Sequence, residues 1–160
     1  MNKKLLDLLR HNARLSNAEL AVMLGTTEAD VAAQIAKLEN DGIIMGYSAI
    51  INEERVDETG VTAIIELKVT PMKDRGFDEL ANTIMKYDEV DSVFLLSGAY
   101  DLSVTITGTS LRNVALFVSE RLSALDGVIS TATHFVLRRY KEKHHLFSED
   151  NTDERSLVSP

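Results

Sequence analysis

The chain contains no cysteine. This absence excludes disulfide bonds and every zinc or iron–sulfur site that depends on cysteine ligands. A membrane-spanning apolar run is also lacking, so we expect no membrane partner. Asp7 and Arg10 interrupt the leucines near the N-terminus, which therefore does not read as a signal peptide. Together these absences lead us to expect a cytoplasmic protein.

The chain also lacks excess positive charge, since its formal net charge is -8 at pH 7. Residues 1–50 carry five Lys and Arg against six Asp and Glu, which makes them the least acidic part of the chain but not a basic one. Phosphate neutralisation supplies most of the affinity in protein–DNA complexes. Any DNA-binding block here should therefore bind weakly as a single copy.

Residues 15–44 carry the pattern of two short helices joined by a tight turn. Ser16 is expected to begin the first helix as its N-cap, and Glu19 stands where it completes a capping box. Gly25 supplies a turn conformation that few other residues tolerate. This spacing is typical of a helix-turn-helix, in which the second helix reads the major groove of DNA.

The second helix of this pair has its own start and stop signals. Thr27 is expected to cap it, and Asn40 to Gly42 end it. Its buried stripe is predicted to be Val31, Ile35 and Leu38. Residues 43–51 follow and are rich in residues that favour β-structure.

Beyond residue 60 the apolar period changes from helical to alternating. Strands are predicted at 62–69, 90–97, 102–107 and 128–137, and helices at 77–84 and 110–125. The resulting order βαββαβ predicts a ferredoxin-like sandwich. We expect domains at 1–50 and 61–140, a linker at 51–60, and a tail at 141–160 whose last part is disordered.

A helix-turn-helix followed by a βαββαβ block of these lengths resembles the Lrp/AsnC family of bacterial and archaeal amino-acid-responsive regulators. The resemblance covers residues 2–140. The segments that carry it are 15–21, 35–44, Gly46-Tyr47, Gly98–Leu102, and Gly127-Val128 with Thr131 and Thr133. The fold that it implies is α+β, with an N-terminal winged-type helix-turn-helix and a C-terminal domain for ligand binding and oligomerisation.

The resemblance also implies the partners. These are double-stranded DNA and an amino acid or related small metabolite, which binds where the second domains meet. Dimers form through the βαββαβ domain and often assemble into octameric rings. One position departs from the family pattern, because Gln34 stands where an arginine usually precedes the buried Ile or Val of the recognition helix.

The outward positions of the helix-turn-helix are the candidate DNA contacts. They are Ser16, Asn17, Thr26, Thr27, Glu28, Gln34 and Lys37. Gln34 has the donor and acceptor geometry to pair with adenine, and threonine suits phosphates or a thymine methyl. Candidate phosphate contacts are Lys3, Lys4, Arg14 and Lys37, which could equally be solvated charges. Asp30 is better explained as a carboxylate that caps its helix.

The candidate effector contacts are Gly98, Tyr100, Asp101, Thr131 and Thr133. A glycine at this turn allows a backbone N–H to approach a ligand carboxylate, and Asp101 could accept from a ligand ammonium. The alternative is a plain hairpin turn, which Gly and Asp favour for backbone reasons.

No cofactor, metal site or catalytic constellation is predicted. His134, His144 and His145 invite a metal interpretation, but no carboxylate stands at a metal-ligand spacing, and a solvated pair is the simpler reading of His144 and His145. We therefore expect a regulator rather than an enzyme. Two alternatives stay open: an oligomeric metabolite sensor with weak or lost DNA binding, and an enzyme similar to the sirohaem decarboxylases.

Overall fold

The computed structural model describes residues 3–56, 60–71 and 76–147. It forms two compact units. The N-terminal unit comprises residues up to 51 together with 143–145, and the C-terminal unit comprises most of the rest of the chain. Part of the expected linker, residues 57–59, and the expected disordered end of the tail, residues 148–160, lie outside the described residues.

The N-terminal unit is built from three helices: α1 (Lys3–His11), α2 (Asn17–Leu24) and α3 (Glu28–Asn40). The predicted capping box is confirmed, because Ser16 Oγ accepts from Glu19 N at 3.2 Å and Glu19 Oε2 accepts from Ser16 N at 2.8 Å. The predicted cap of α3 is confirmed as well, since Thr27 Oγ1 accepts from Asp30 N.

The turn between α2 and α3 is fixed by glycine. Gly25 has φ 66°, in the left-handed region, and its N–H donates to the Val22 carbonyl. Thr26 N donates to the Ala21 carbonyl at 3.0 Å, which completes a Schellman ending of α2. The fully buried side chains of this unit are Leu5, Leu20, Ala21, Val31 and Leu38. Ile35 is only half-buried against them.

The prediction of β-structure at residues 43–51 is wrong, because these residues form no strand. Ile43 N and Ile44 N both donate to the Leu38 carbonyl, at 2.9 and 3.1 Å. Their amides therefore close the end of α3 instead of joining a sheet. Residues with a high β-propensity form a strand only when a neighbouring strand pairs with their backbone N–H and C=O groups.

The C-terminal unit contains the predicted βαββαβ order. Its elements are β1 (Val61–Val69), α4 (Asp78–Ile84), β2 (Val90–Leu95), β3 (Leu102–Gly108), α5 (Leu111–Phe117) and β4 (Val128–Phe135). The strands pair antiparallel in the order β2-β3-β1-β4. The α+β fold with a ferredoxin-like second domain is confirmed.

Alternation along β1 separates the two faces of the sheet. Ala63, Ile65, Leu67 and Val69 are at most 4% exposed and pack with residues of α4 and α5. The helix α5 continues into a π-helical turn at Val118–Leu122. Leu111, the first residue of α5, is 57% exposed.

A short hairpin follows β4 within the expected tail. Its strands are β5 (Lys141–Glu142) and β6 (His145–Leu146), which pair with each other. The sequence pattern did not predict it. Two-residue strands leave no period to detect, and the turn lacks the Asn-Gly or Asp-Gly signal of tight hairpins.

Replacing Gly25 tests the turn of the helix-turn-helix. We expect Gly25→Ala to lower the free energy of unfolding by about 1–2 kcal/mol, because an L side chain resists the left-handed conformation. Gly46→Ala is the matched control, since Gly46 has no positive φ and open space around its Cα. Its effect should stay within about 0.5 kcal/mol. Urea unfolding measures both, and equal stability of the two variants would contradict the assigned turn.

Candidate DNA-binding and effector sites

The start of α3 is held by a threonine–aspartate cluster. Thr26 Oγ1 and Thr27 Oγ1 both donate to Asp30 Oδ2, at 3.0 and 2.8 Å. These hydrogen bonds, with that from Thr27 first, hold the pKa of Asp30 below its usual value. Asp30 therefore stays ionised in the first turn of α3, and both threonine hydroxyls are oriented within the chain.

The start of α2 has a similar arrangement. Ser16 Oγ donates to Glu19 Oε2 at 2.8 Å. Hydrogen bonds from the backbone and then the side chain of Ser16 lower the pKa of Glu19. The hydroxyl of Ser16 is thus committed to the capping box, whereas Asn17 is exposed beside it. Both remain predictions as DNA contacts.

The outer face of α3 differs from the sequence-based picture at one position. Glu28 and Lys37 are exposed as expected. Gln34 is only half-exposed and takes part in an interaction within the chain, so it does not point simply outward. Burial of neighbouring Ile35 is incomplete too, which means that the inner stripe of α3 is narrower than its spacing indicated.

Small apolar side chains occupy much of this outer face. The exposed alanines of α3 are Ala29, Ala32, Ala33 and Ala36. Sequence reasoning missed them, although their positions between the buried Val31 and Leu38 were visible. Alanine lets a helix approach DNA closely and can contact a thymine methyl.

Two of the five Lys and Arg side chains of residues 3–51 are engaged within the chain. Lys4 Nζ donates to the Met23 carbonyl at 2.9 Å and so satisfies the end of α2. Arg10 pairs with Asp7 at 3.0 Å. The side chains of Lys3, Arg14 and Lys37 are exposed. The predicted phosphate role of Lys4 thus competes with a structural one.

The motif residue Tyr47 fastens the segment after α3. Its hydroxyl donates to Glu39 Oε1 at 3.0 Å. Burial, then the hydrogen bond and charge of Glu39, raise the pKa of Tyr47 above its usual value. The tyrosine stays protonated and can keep donating to this carboxylate at neutral pH.

The predicted effector turn is anchored to the central strand of the sheet. Asp101 N donates to the Leu67 carbonyl at 2.9 Å. The Asp101 carboxylate accepts from Val69 N at 2.9 Å and from Lys68 Nζ at 3.3 Å. The backbone hydrogen bond from Val69 is the largest effect and lowers the pKa of Asp101; burial opposes it, and the hydrogen bond and charge of Lys68 lower the pKa further. This carboxylate positions the turn.

The rest of the turn is more open. Gly98 is exposed, and a Cβ built on it would meet no described atom within 4 Å. Tyr100 is half-buried. Because Gly98 has no positive φ, the fold does not require glycine there. What glycine contributes at position 98 is the absence of a side chain, which leaves open space next to the backbone.

The register brings both threonines to the helix-covered face of the sheet. Thr131 lies opposite Leu67, and Thr133 lies opposite Ile65. Both are half-buried on the edge strand β4. Leu67 also accepts from Asp101 N, so the turn and Thr131 meet the same residue of β1. Asp101 and Thr131 therefore lie beside the same residue of β1, and Thr133 lies opposite a residue two positions earlier in that strand.

Two clefts in the C-terminal unit lie elsewhere. One of about 280 Å³ runs between α4 and β2, along Phe77, Ala81 and Leu95. The other, of about 370 Å³, borders α5, including Asn113 and Arg121. None of the five predicted effector residues lines either of these two clefts.

The histidines are explained by separate contacts. His134 Nε2 lies 3.1 Å from Glu66 Oε2 across two paired strands. The ring of His144 stacks on that of His11 with centroids 4.9 Å apart, within the N-terminal unit. Within residues 3–56, 60–71 and 76–147, no group of three acidic or histidine side chains could hold a metal ion.

Comparison with known proteins assigns both units. The family model described as the Lrp/AsnC ligand binding domain matches residues 62–146, more than half of the chain. The model described as winged helix-turn-helix DNA-binding matches residues 2–45. The chain belongs to the Lrp/AsnC family. It is a transcriptional regulator of that family, with a DNA-binding helix-turn-helix and a ligand-binding domain.

Individual relatives agree with the Lrp/AsnC assignment. The uncharacterised HTH-type transcriptional regulator YugG of Bacillus subtilis is 46% identical over 98% of this chain and 95% of its own. The leucine-responsive regulatory protein of Haemophilus influenzae is 27% identical over 89% of this chain and 86% of its own. In the described part of this Lrp/AsnC chain, no helix has the length and apolarity to span a membrane.

A solved structure with a bound amino acid is similar to this Lrp/AsnC chain. It is a transcriptional regulator of Neisseria meningitidis in complex with L-methionine. The TM-score is 0.73 at 29% identity, and the alignment covers 91% of this chain and 92% of the other.

Removing the Asp101 carboxylate tests its anchoring role through pH. A carboxyl whose pKa is lowered by folding stabilises the protein above its ordinary pKa, and this stabilisation is lost as pH falls through that value towards the lowered one. We expect Asp101→Asn to be less stable than wild type near pH 7. The gap should narrow as pH falls below about 4.

The exposed Asp126 provides the control for this experiment. Asp126→Asn should follow the wild-type stability curve throughout. Urea unfolding from about pH 7 to about pH 3 gives the three curves. A stability gap for Asp101→Asn that is the same at every pH would show that ionised Asp101 does not anchor the turn.

Proposed function

We propose that the chain senses a free amino acid, which binds at the Gly98–Asp101 turn and changes DNA binding or assembly. The observation that carries this is the anchored turn with open space before Gly98, in a fold shared with an L-methionine-bound regulator. The names of the relatives support a role through binding and not catalysis. They favour neither the sirohaem-decarboxylase-like enzyme nor a sensor that has lost DNA binding.

The chemistry of the turn suits an α-amino acid. A ligand carboxylate can approach the exposed backbone at Gly98, where no side chain intervenes. Asp101 is already engaged by Val69 N, so its charge favours a nearby ammonium without replacing that bond. Hydroxyls of Thr131 and Thr133 add acceptors on the neighbouring edge strand.

Filling the space at Gly98 tests this site. A thermal-shift screen of free amino acids on wild type should find at least one ligand. At about 100 times its Kd, that ligand stabilises by about 2.7 kcal/mol and raises Tm by roughly 5–10 °C. Gly98→Leu should fold normally and lose most of this shift, because a side chain occupies the approach to the backbone.

The control substitutes a glycine far along the chain from the turn. Gly46→Leu has equally open surroundings, so it should keep the ligand-induced shift. An undiminished shift in Gly98→Leu would exclude the turn as the site. If no amino acid shifts the wild type, the amino-acid proposal itself fails.

The open face of the sheet supports a homodimer through the C-terminal domain. Paired rows place Phe94, Ser103 and Glu66 together on the face opposite the core, with Ile64 in the next row. Phe94 is 58% exposed and Ile64 is 39% exposed. The Glu66 carboxylate has His134 beside it, which lowers the cost of covering this face.

A charge at Phe94 tests the dimer and its part in DNA binding. Phe94→Glu should convert dimers to monomers and weaken DNA binding by ~100-fold, because linked readers raise each other's effective concentration. Phe94→Leu keeps an apolar side chain and should retain both properties. Sedimentation and gel-shift titration measure them. If the Phe94→Glu protein remained dimeric, the dimer interface would have to lie on a different face of the domain.

A further inference from the structure

The positive charge of this acidic chain is concentrated near the end of the described residues. Four Lys and Arg side chains but only one carboxylate fall within residues 138–145. We call this segment, with its paired strands β5 and β6, the basic hairpin. Its cations are Arg138, Arg139, Lys141 and Lys143. Within residues 3–56, no eight-residue stretch has as large an excess of Lys and Arg over Asp and Glu.

Contacts within the basic hairpin leave most of its cations exposed. Arg139 Nε pairs with Glu142 Oε2 at 3.0 Å, which uses the carboxylate of the segment. The guanidinium of Arg138 lies 5.1 Å from the centre of the Tyr140 ring. Arg138, Lys141 and Lys143 are exposed, and no described carboxylate forms an ion pair with them.

The turn of the basic hairpin keeps a lysine at a strained position. Lys143 has φ 43° and His144 has φ 74°, although neither is a glycine. Tight hairpin turns that require two positive φ angles favour Asn-Gly or Gly-Gly. A long cation held at such a turn, against that preference, indicates that its side chain has a use.

The turn residues belong to the helix-turn-helix unit. Residues 143–145 group with residues up to 51, and there the His144 ring stacks on His11. In that unit, Lys4 and Arg10 are already engaged by the Met23 carbonyl and Asp7. Lys143 therefore adds an exposed cation to the DNA-binding unit, and the other cations of the basic hairpin precede it directly along the chain.

We propose that the basic hairpin binds the phosphate backbone of DNA, through Arg138, Lys141 and Lys143. This inference rests on DNA binding by the helix-turn-helix. Phosphate contacts release condensed counterions and so raise affinity and its salt dependence without reading sequence. The helix-turn-helix selects the site, and the hairpin holds the flanking backbone.

The test compares two charge-matched double variants of the full chain. Arg138→Gln with Lys143→Gln removes two cations of the hairpin. Lys86→Gln with Arg112→Gln removes one lysine and one arginine that are exposed elsewhere in the C-terminal unit. Binding to a labelled duplex from the region upstream of its own gene is titrated over a salt series. A scrambled duplex of equal length measures sequence preference.

The hairpin variant should give a shallower plot of log K against log salt. The slope should fall by about 0.9 for each lost contact, or roughly 1.8 per bound subunit. The preference for the operator over scrambled DNA should not change. The control variant should keep the wild-type slope, and the charge-conserving pair Arg138→Lys with Lys143→Arg should keep it too.

Three results would overturn the inference. The hairpin variant could keep the wild-type slope of log K against log salt. This result would show that the hairpin does not contact phosphates, although the helix-turn-helix still binds DNA. Both double variants could lose slope equally, which indicates a general charge effect. Wild type could show no salt-dependent binding at all, in which case DNA binding and the role of the hairpin fail together.

Discussion

The pairing of β1 with strands on both sides is the constraint on which the C-terminal unit depends. Leu67 lies opposite Leu102 on β3 and Thr131 on β4, and its carbonyl accepts from Asp101 N. One residue therefore lies beside a candidate residue from each effector motif. A one-residue slip of β1 would also exchange the core face and the open face. The candidate ligand site and the candidate dimer face share this single register.

Features that arise from neighbouring residues could be predicted from the sequence. The Ser16–Glu19 box and the Thr27 cap each span three residues, so the partners are visible in the chain. Gly25 marks its turn because only glycine adopts φ 66° readily. Alternation at period two located β1 and β3, since one face of each is buried.

Features that depend on distant partners could not be predicted. Asp101 reads as a turn residue, yet its carboxylate is held by Val69 N, 32 residues away. Residues 43–51 have strand-forming composition but receive no partner strand, which composition cannot reveal. Gln34 has the spacing of an outward residue and is nevertheless half-buried. For Asp101, a contact far along the chain thus overrides the local turn pattern.

Charge and assembly then explain how an acidic chain can act on DNA. DNA repels the parts of the surface that carry net negative charge, so the attraction to phosphates comes from the exposed cations. Because one copy presents few of them, affinity depends steeply on how many copies bind together. A ligand that changes assembly therefore changes DNA affinity without touching the recognition helix. Linkage makes this coupling reciprocal. Binding to DNA therefore changes the affinity of the chain for the effector by the same factor by which the effector changes its affinity for DNA.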